Sequence, residues 1–358
     1  MAGVGKSTGA FGGPRVTALV GVTFALAALV SSVARAPPGN PASARARAPC
    51  FGSVLGEGVW TRDASACASS DAPAAGCDER ETDAFWSFDA RAVTRCGARA
   101  HTKEANAFTG RRVLVVGDSI ARNVYASILR LAAREAEAHA LSAQEKHRDW
   151  THELVDGGLA AFRWAPFARN VTATLRDAFD ADASFEIVVL GATLWDALHV
   201  RSLETYESDL RALAVRVAET TARASQTDST PSPMFFWLAA PRVRDDALTD
   251  PAKRAHMTDA KVRAYGEAAR RAPGFLARPE DARRDGAATE TEHASATGWR
   301  DGFVSPVDVG ALAAGCAAAA SAERCSADGV HAARAVYDAA AQIIANVVEQ
   351  SIERSGER

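Results

Sequence analysis

Short apolar runs alternate with stretches of helical spacing from residue 112 to residue 352, and this alternation constrains the fold most. The runs RVLVV (112–116), FEIVVL (185–190) and MFFWL (234–238) have the β-branched and aromatic character of buried strands. Helical periodicity follows or separates them, at 121–138, 206–224, 258–271 and 333–352. Strands that alternate with helices predict an α/β domain whose parallel central sheet is covered by helices on both faces, a three-layer α/β/α arrangement.

The N-terminal region predicts a membrane anchor. Residues 16–34 (VTALVGVTFALAALVSSVA) carry no charge and are long enough to cross a bilayer as a helix. A cleaved signal peptide is the alternative, because small residues follow the run. We therefore divide the chain into a tail (1–15), a signal-anchor (16–34), a linker rich in Pro, Ala and Arg (35–49), a Cys-rich segment (50–110) and a main domain (111–358).

The number and grouping of the cysteines favour a location of the main domain in the lumen of the secretory pathway. Four of the six cysteines, Cys50, Cys67, Cys77 and Cys96, precede the main domain, and Cys316 and Cys325 form a close pair near the C-terminus. This even, locally grouped set favours disulfides in an oxidising compartment. Zinc is the alternative, but no CxxC pair supplies its usual ligand spacing. Asn170 begins a glycosylation sequon, which fits the same address.

Two short motifs supply the candidate chemistry. Gly117-Asp118-Ser119 ends the first strand, where a hydroxyl is exposed and the N–H groups of a helix start are free to stabilise an oxyanion. Helix capping by Asp118 or Ser119 is the alternative explanation for that motif alone. Asp328-Gly329-Val330-His331 precedes the last helix and could supply a base with its orienting carboxylate. Together the motifs predict a Ser119–His331–Asp328 catalytic triad.

This pair of motifs resembles the SGNH (GDSL-type) hydrolase superfamily, and within it the PC-esterase branch. That branch includes trichome-birefringence-like polysaccharide O-acetyltransferases and the lumenal domain of sialate O-acetyltransferases. Further matches are the Cys50 … GVW opening, GDSIARN (117–123), FRWAP (162–166), VVLGATLW (188–195) and DGVH (328–331). The similarity runs from about Cys50 to the C-terminus.

The resemblance implies roles for individual residues. Ser119 would be the nucleophile, His331 the base and Asp328 its orienter, with the Ser119 N–H as one oxyanion donor. Gly157 or Gly158 would supply a second donor. Other members place an Asn in the third block, where this chain has Thr193 after Gly191-Ala192. Arg122 is the substitute donor that we consider, with a surface ion pair as the alternative role.

The resemblance implies O-acetyl transfer to a glycan hydroxyl in the Golgi lumen, with an acyl donor and a glycan acceptor as partners and the membrane bound through the anchor. Ester hydrolysis and a non-catalytic glycan-binding module are the alternatives. No cofactor or metal is implied. The net charge is −3, and the sequence has no dense stripe of Lys and Arg. This argues against a nucleic acid as the main partner, because phosphate binding requires clustered positive charge.

Other residues are candidates for lining the site. His152 and His199 could do so, and Asp245-Asp246 resembles a carboxylate pair, although structural or solvated roles are the usual ones for such residues. Trp164, Trp195 and Trp237 lie near predicted strand ends. They could stack on sugar rings or pack in the core.

Overall fold

The computed structural model describes residues 58–62, 84–89, 93–94, 97–103, 105–133, 147–182, 184–199, 202–226, 232–272, 304–326 and 328–356. The predicted anchor, the linker, and Cys50, Cys67, Cys77 and Cys96 lie outside these residues. The description below concerns the described part of the chain.

A two-stranded hairpin precedes the main sheet. β1 (Gly58–Arg62) pairs antiparallel with β2 (Ala84–Phe88). The hairpin packs on helices near the C-terminus, where a Cβ on Gly315 would lie 2.6 Å from the Trp60 ring. This part of the predicted Cys-rich segment therefore packs against the main domain through Trp60.

The main sheet has six strands in the order β4-β5-β3-β6-β7-β8. β3, β5, β6, β7 and β8 are parallel, while β4 is an antiparallel edge strand. The strands are β3 (Arg112–Gly117), β4 (Trp150–Glu153), β5 (Leu159–Trp164), β6 (Ile187–Gly191), β7 (Met234–Ala239) and β8 (Ser305–Asp308). The predicted parallel sheet is confirmed for five of its six strands, and β4 is the correction: it turns back through a tight connection onto β5.

Central strands β3 and β6 are buried along almost their whole length, as the uninterrupted apolar runs predict. β4 instead alternates half-buried and exposed residues (WTHE), which is typical of an edge strand with one solvated face. The centre of the sheet is therefore the rigid element from which the functional groups project.

Helices cover both faces of this sheet. α1 packs on α9 and α9 on α7, while α2 packs on α4 and α4 on α6. β5 and β6 lie on opposite sides of β3, so right-handed crossovers through α1 and α2 place these two helices on opposite faces. The helices are α1 (Ser119–Ala132), α2 (Ala168–Ala181), α3 (Leu194–Leu198), α4 (Leu203–Ser225), α5 (Pro251–His256), α6 (Asp259–Arg271), α7 (Val309–Ala319), α8 (Ala322–Cys325) and α9 (Arg334–Gly356).

Candidate active site

Ser119 is the first residue of α1, directly after the central strand β3. The turn between them requires a glycine at 117, because a Cβ there would lie 2.0 Å from the Gly191 carbonyl oxygen and 2.7 Å from the Ala121 Cβ. Asp118 caps the helix, and its carboxylate accepts the Ile120 N–H at 2.9 Å. Ser119 thus stands at the carboxyl end of the sheet, where the first N–H groups of a helix have no partner in that helix.

Ser119, His331 and Asp328 form one hydrogen-bonded chain. Ser119 Oγ lies 2.8 Å from His331 Nε2, and His331 Nδ1 lies 2.6 Å from Asp328 Oδ2. With the Nδ1 proton donated to the carboxylate, Nε2 is left as the acceptor for the Ser119 hydroxyl proton. The three residues are therefore arranged as a nucleophile, a base and an orienting group.

The turn that carries His331 is organised by Asp328. Its Oδ1 accepts the backbone N–H groups of Val330 at 2.9 Å and His331 at 2.7 Å, while its Oδ2 faces the ring. Burial alone would raise the pKa of Asp328, but the hydrogen bond from His331, the charge of that imidazole and the two N–H donors outweigh burial. These contacts hold the pKa well below its usual range, so the carboxylate stays ionised wherever the site is folded.

Arg244 and the Cys316–Cys325 disulfide fix the position of the turn that carries His331. The Arg244 N–H donates to the Gly329 carbonyl at 2.8 Å, and its guanidinium donates to the Ser326 carbonyl at 3.2 Å. Cys316 and Cys325 form the disulfide that the sequence favours, and the Ala333 N–H donates to the Cys325 carbonyl at 2.8 Å. The turn is therefore fastened both before and after His331.

Asp118 is a buried carboxyl group beneath the nucleophile. It is 2 % exposed, and burial raises its pKa to about 6 against the opposing effect of the Ile120, Ala121 and Thr193 N–H donors and of His331. The Thr193 donor belongs to the turn after β6, so Asp118 joins two neighbouring strand-to-helix turns. Sequence reasoning treated Asp118 only as a cap and missed this link.

The predicted second oxyanion donor at Gly157 or Gly158 is wrong. Both residues precede β5, whose first residue, Leu159, is paired with Arg112 at the start of β3. They therefore lie at the amino end of the sheet, about 17 Å of strand away from the Ser119 end. The antiparallel β4–β5 connection, which the sequence analysis did not foresee, accounts for that placement.

The other two oxyanion candidates lie near the site in different settings. Thr193 is buried, and its hydroxyl lies 3.1 Å from the Tyr206 hydroxyl. Arg122 is half-buried on the first turn of α1, and burial lowers its pKa against the opposing charges of Asp118 and Tyr337. Thr193 thus contributes its N–H to Asp118, and Arg122 stays a prediction.

A contact between Asn123 and Tyr337, which sequence reasoning missed, connects the GDS and DxxH motifs. The Tyr337 hydroxyl accepts the Ala332 N–H at 3.0 Å and is also hydrogen-bonded to the Asn123 side chain. Asn123 belongs to the GDSIARN stretch, and Tyr337 belongs to α9. Asn123 was quoted as part of that stretch, but no local signal marked its partner, because the contact joins distant parts of the chain.

His152, Asp245 and Asp246, which the sequence suggested as residues that line the site, have structural roles instead. His152 Nδ1 lies 2.6 Å from the buried Tyr125 hydroxyl. Asp245 accepts the Asp259 N–H at 2.8 Å, and Asp246 pairs with Arg244 at 2.8 Å. These contacts stabilise the fold around the site.

The three tryptophans divide between core and surface. Trp237 is 1 % exposed and belongs to the core. Trp164 and Trp195 are half-buried at the carboxyl ends of β5 and β6, and the exposed His199 ring stacks on Trp195. Asn170 of the sequon is exposed on α2.

Within the described ranges, no group of three or more His, Cys, Asp or Glu side chains could hold a metal ion. In the same part of the chain, no helix has the length and apolar character needed to cross a bilayer.

Comparisons with known proteins give distant structural likenesses. No family model and no curated protein matches the chain. It is similar to Est24, a carbohydrate acetylesterase from Sinorhizobium meliloti, with 11% identity and a TM-score of 0.37 over 68% of this chain and 99% of that one. A GDSL-like lipase from Parabacteroides merdae is 14% identical, with a TM-score of 0.38, and the match covers 68% of this chain and 97% of that one. The catalytic domain of Streptococcus pneumoniae peptidoglycan O-acetyltransferase A is 12% identical, with a TM-score of 0.33, and the match covers 70% of this chain and 96% of that one.

Values this low carry no argument about activity, which must come from the site. The arrangement of this chain is nevertheless the one that its motifs imply. The GDS turn follows the first parallel strand of the sheet, the DxxH turn precedes the last helix, and helices cover both faces. The described residues therefore have the three-layer α/β/α arrangement that the resemblance of the motifs implies.

Proposed function

We propose that this chain is a serine-dependent acyl-ester enzyme that transfers an acetyl group to a glycan hydroxyl through an acyl-Ser119 intermediate. The observation that carries the proposal is the continuous hydrogen-bonded chain Ser119–His331–Asp328 at the start of α1. A serine hydroxyl is a weak nucleophile until an oriented base takes its proton, and this arrangement supplies both base and orienter.

The proposed chemistry has two balanced halves. Ser119 Oγ bonds to the acyl carbon of the donor while its proton passes to His331 Nε2, and the donor's leaving oxygen departs with that proton. The acceptor hydroxyl then bonds to the acyl carbon and gives its proton to His331. Ser119 leaves with a proton returned from the imidazole. Asp328 stabilises the imidazolium in both halves, and the Ser119 N–H at the helix start faces the developing oxyanion.

Hydrolysis is the second candidate, and solvent access favours it. The His331 side chain is 31 % exposed and the Asp328 side chain 54 % exposed. Water could therefore reach the acyl-enzyme and replace the sugar hydroxyl with the same three residues at work. Transfer requires an acceptor that binds well enough to exclude this water.

We also propose a lumenal site anchored in the Golgi membrane through residues 16–34. The Cys316–Cys325 disulfide supports an oxidising compartment, since such bonds persist mainly there. Protease protection of the main domain in intact vesicles tests this address. Cleavage of the domain from the cytosolic side would reject it.

The first experiment measures intact mass after brief exposure of the full-length chain, in detergent micelles, to 4-nitrophenyl acetate. We expect one added acetyl group on the native chain and none on Ser119→Ala. Adding glycans should then discharge the acetyl group to sugar, and hydrolysis would discharge it to water. If neither protein is acylated or turns over the ester while both are folded with the disulfide formed, the enzyme proposal fails and a non-catalytic glycan-binding module becomes the better explanation.

A further inference from the structure

Five aromatic rings form a connected cluster at the carboxyl edge of the sheet, which we call the aromatic shelf: His147, Trp164, Phe167, Trp195 and His199. His147 and Trp164 are 4.4 Å apart at an angle of 30°, and Trp195 and His199 are 5.0 Å apart at 23°. The two tryptophan rings are 5.7 Å apart and nearly perpendicular, at 86°. Phe167 contacts both Trp195 and His199. The shelf is thus two stacked pairs that meet at a right angle.

The sheet register places this shelf beside the nucleophile. Gly117, two residues before Ser119, is paired with Trp164 on one side and with Gly191 on the other. Trp195 follows Gly191 by one short turn, and Thr193 in that turn donates its N–H to the Asp118 carboxylate. The two tryptophans therefore project from the strand ends that flank Ser119.

The shelf is not part of the hydrophobic core. Trp237, also near a strand end, is 1 % exposed, whereas Trp164, Phe167 and Trp195 are half-buried and His147 and His199 are exposed. Leaving such large rings in contact with water forgoes the free energy that their burial would yield. A ligand that covers the shelf would recover this free energy.

The shelf adjoins a cavity through His199. His199 also lines a cavity of about 310 Å³ together with Leu198, Asp250, Ala252, Lys253 and His256. This volume is at the lower end of the range for ligand pockets, about 300–1,000 Å³. The aromatic rings of the shelf and the hydrogen-bonding or charged groups of the cavity thus form adjoining surfaces that share His199.

We propose that the aromatic shelf and the adjoining cavity bind the acceptor of the acetyl group as an oligosaccharide of at least two pyranose rings. The inference rests on the proposed function, because it assigns the acceptor of that reaction. A pyranose ring presents C–H groups on its faces and hydroxyls at its rim. The faces match the aromatic rings, and the rim matches the imidazole nitrogens of His147 and His199. The next sugar along the chain would enter the cavity beside Lys253.

The experiment separates binding from chemistry. Binding is measured on full-length Ser119→Ala by intrinsic tryptophan fluorescence, with gluco-, manno- and xylo-oligosaccharides of one to six residues as probes. For at least one series, Kd should fall about tenfold from one residue to two or three. Adding Trp195→Ala should weaken that binding about tenfold, which corresponds to about 1.4 kcal/mol of stacking.

The matched control is Trp86→Ala, which removes a tryptophan of the β1–β2 hairpin that is half-buried, as Trp195 is, but lies outside the shelf; it should leave Kd unchanged. In chains that retain Ser119, Trp195→Ala should raise KM for the oligosaccharide by a larger factor than it lowers the rate of acylation by 4-nitrophenyl acetate. If Ser119 is acylated but no oligosaccharide binds, or Trp195→Ala binds as well as its parent, the shelf proposal is overturned and the acyl-ester function stands. If oligosaccharides bind at Trp195 and Ser119 is never acylated, the enzyme proposal and the acceptor role of the shelf both fail, and only its binding of oligosaccharide stands.

Discussion

Replacing Asp118 by asparagine should flatten the dependence of stability on pH between pH 5 and 8. Burial raises the pKa of Asp118 from 3.8 to about 6, so the folded chain holds this proton more tightly than the unfolded chain does. Where the folded state binds more protons, stability falls as pH rises. Between pH 5, which lies below the folded pKa, and pH 8, which lies above it, the native chain should lose about 1 kcal/mol of stability from this group.

Urea unfolding at pH 5 and pH 8, followed by far-UV circular dichroism, measures this difference for the native chain and for Asp118→Asn. Asparagine cannot ionise, so the variant should lack this loss of about 1 kcal/mol even if its overall stability is lower. The pKa of buried His101 is lowered, which gives a slope of the opposite sign, but that slope is common to both proteins and cancels in the comparison. Equal pH dependence in the two proteins would mean that Asp118 is ionised throughout this range, and the argument from burial would be wrong.

Three further changes test other parts of the site. Asp328→Asn should lower the rate of Ser119 acylation by about 10³–10⁴-fold with the fold retained, because the imidazole loses its orienting acceptor; a loss below tenfold would contradict that role. Replacing Cys316 and Cys325 together by serine should lower the free energy of unfolding by about 2–3 kcal/mol, measured in urea, and unchanged stability would argue against the bond. Gly329→Ala should cost about 1–3 kcal/mol and slow acylation, since φ is +76° and a Cβ would lie 2.7 Å from the Arg244 carbonyl oxygen. Native-like unfolding and kinetics of that variant would show that the turn is adaptable.

The sequence predicts the centre of this fold better than its edges. β3, β6 and β7 coincide with apolar runs, because a strand buried on both faces must be apolar throughout. β4 (WTHE) and β8 (SPVD) are short and partly polar, and their pairing depends on neighbours far along the chain. α2 was missed although Val171, Leu175 and Phe179 repeat at helical spacing on its buried side. The predicted helices that were found shift by a few residues at their ends.

The same division applies to the site. Ser119, Asp328 and His331 could be named because each stands in a short motif whose place relative to a strand or a helix is readable. Gly157 and Gly158 were misplaced because the order and direction of strands in a sheet are not encoded next to a glycine. Arg244 and Tyr337 act through contacts with distant segments, so nothing near them in sequence marks their role.

The nucleophile and its base are 212 residues apart in the chain, and strands β4 to β8 of the main sheet are made between them. During synthesis, the hydroxyl of Ser119 emerges from the ribosome long before the imidazole that would activate it. A nascent chain that has folded β3 to β8 still lacks the DxxH turn and the helix that follows it. Reactivity toward esters should therefore arise abruptly once the DxxH turn and the helix after it have left the ribosome, and a chain released before that point would carry an unreactive serine.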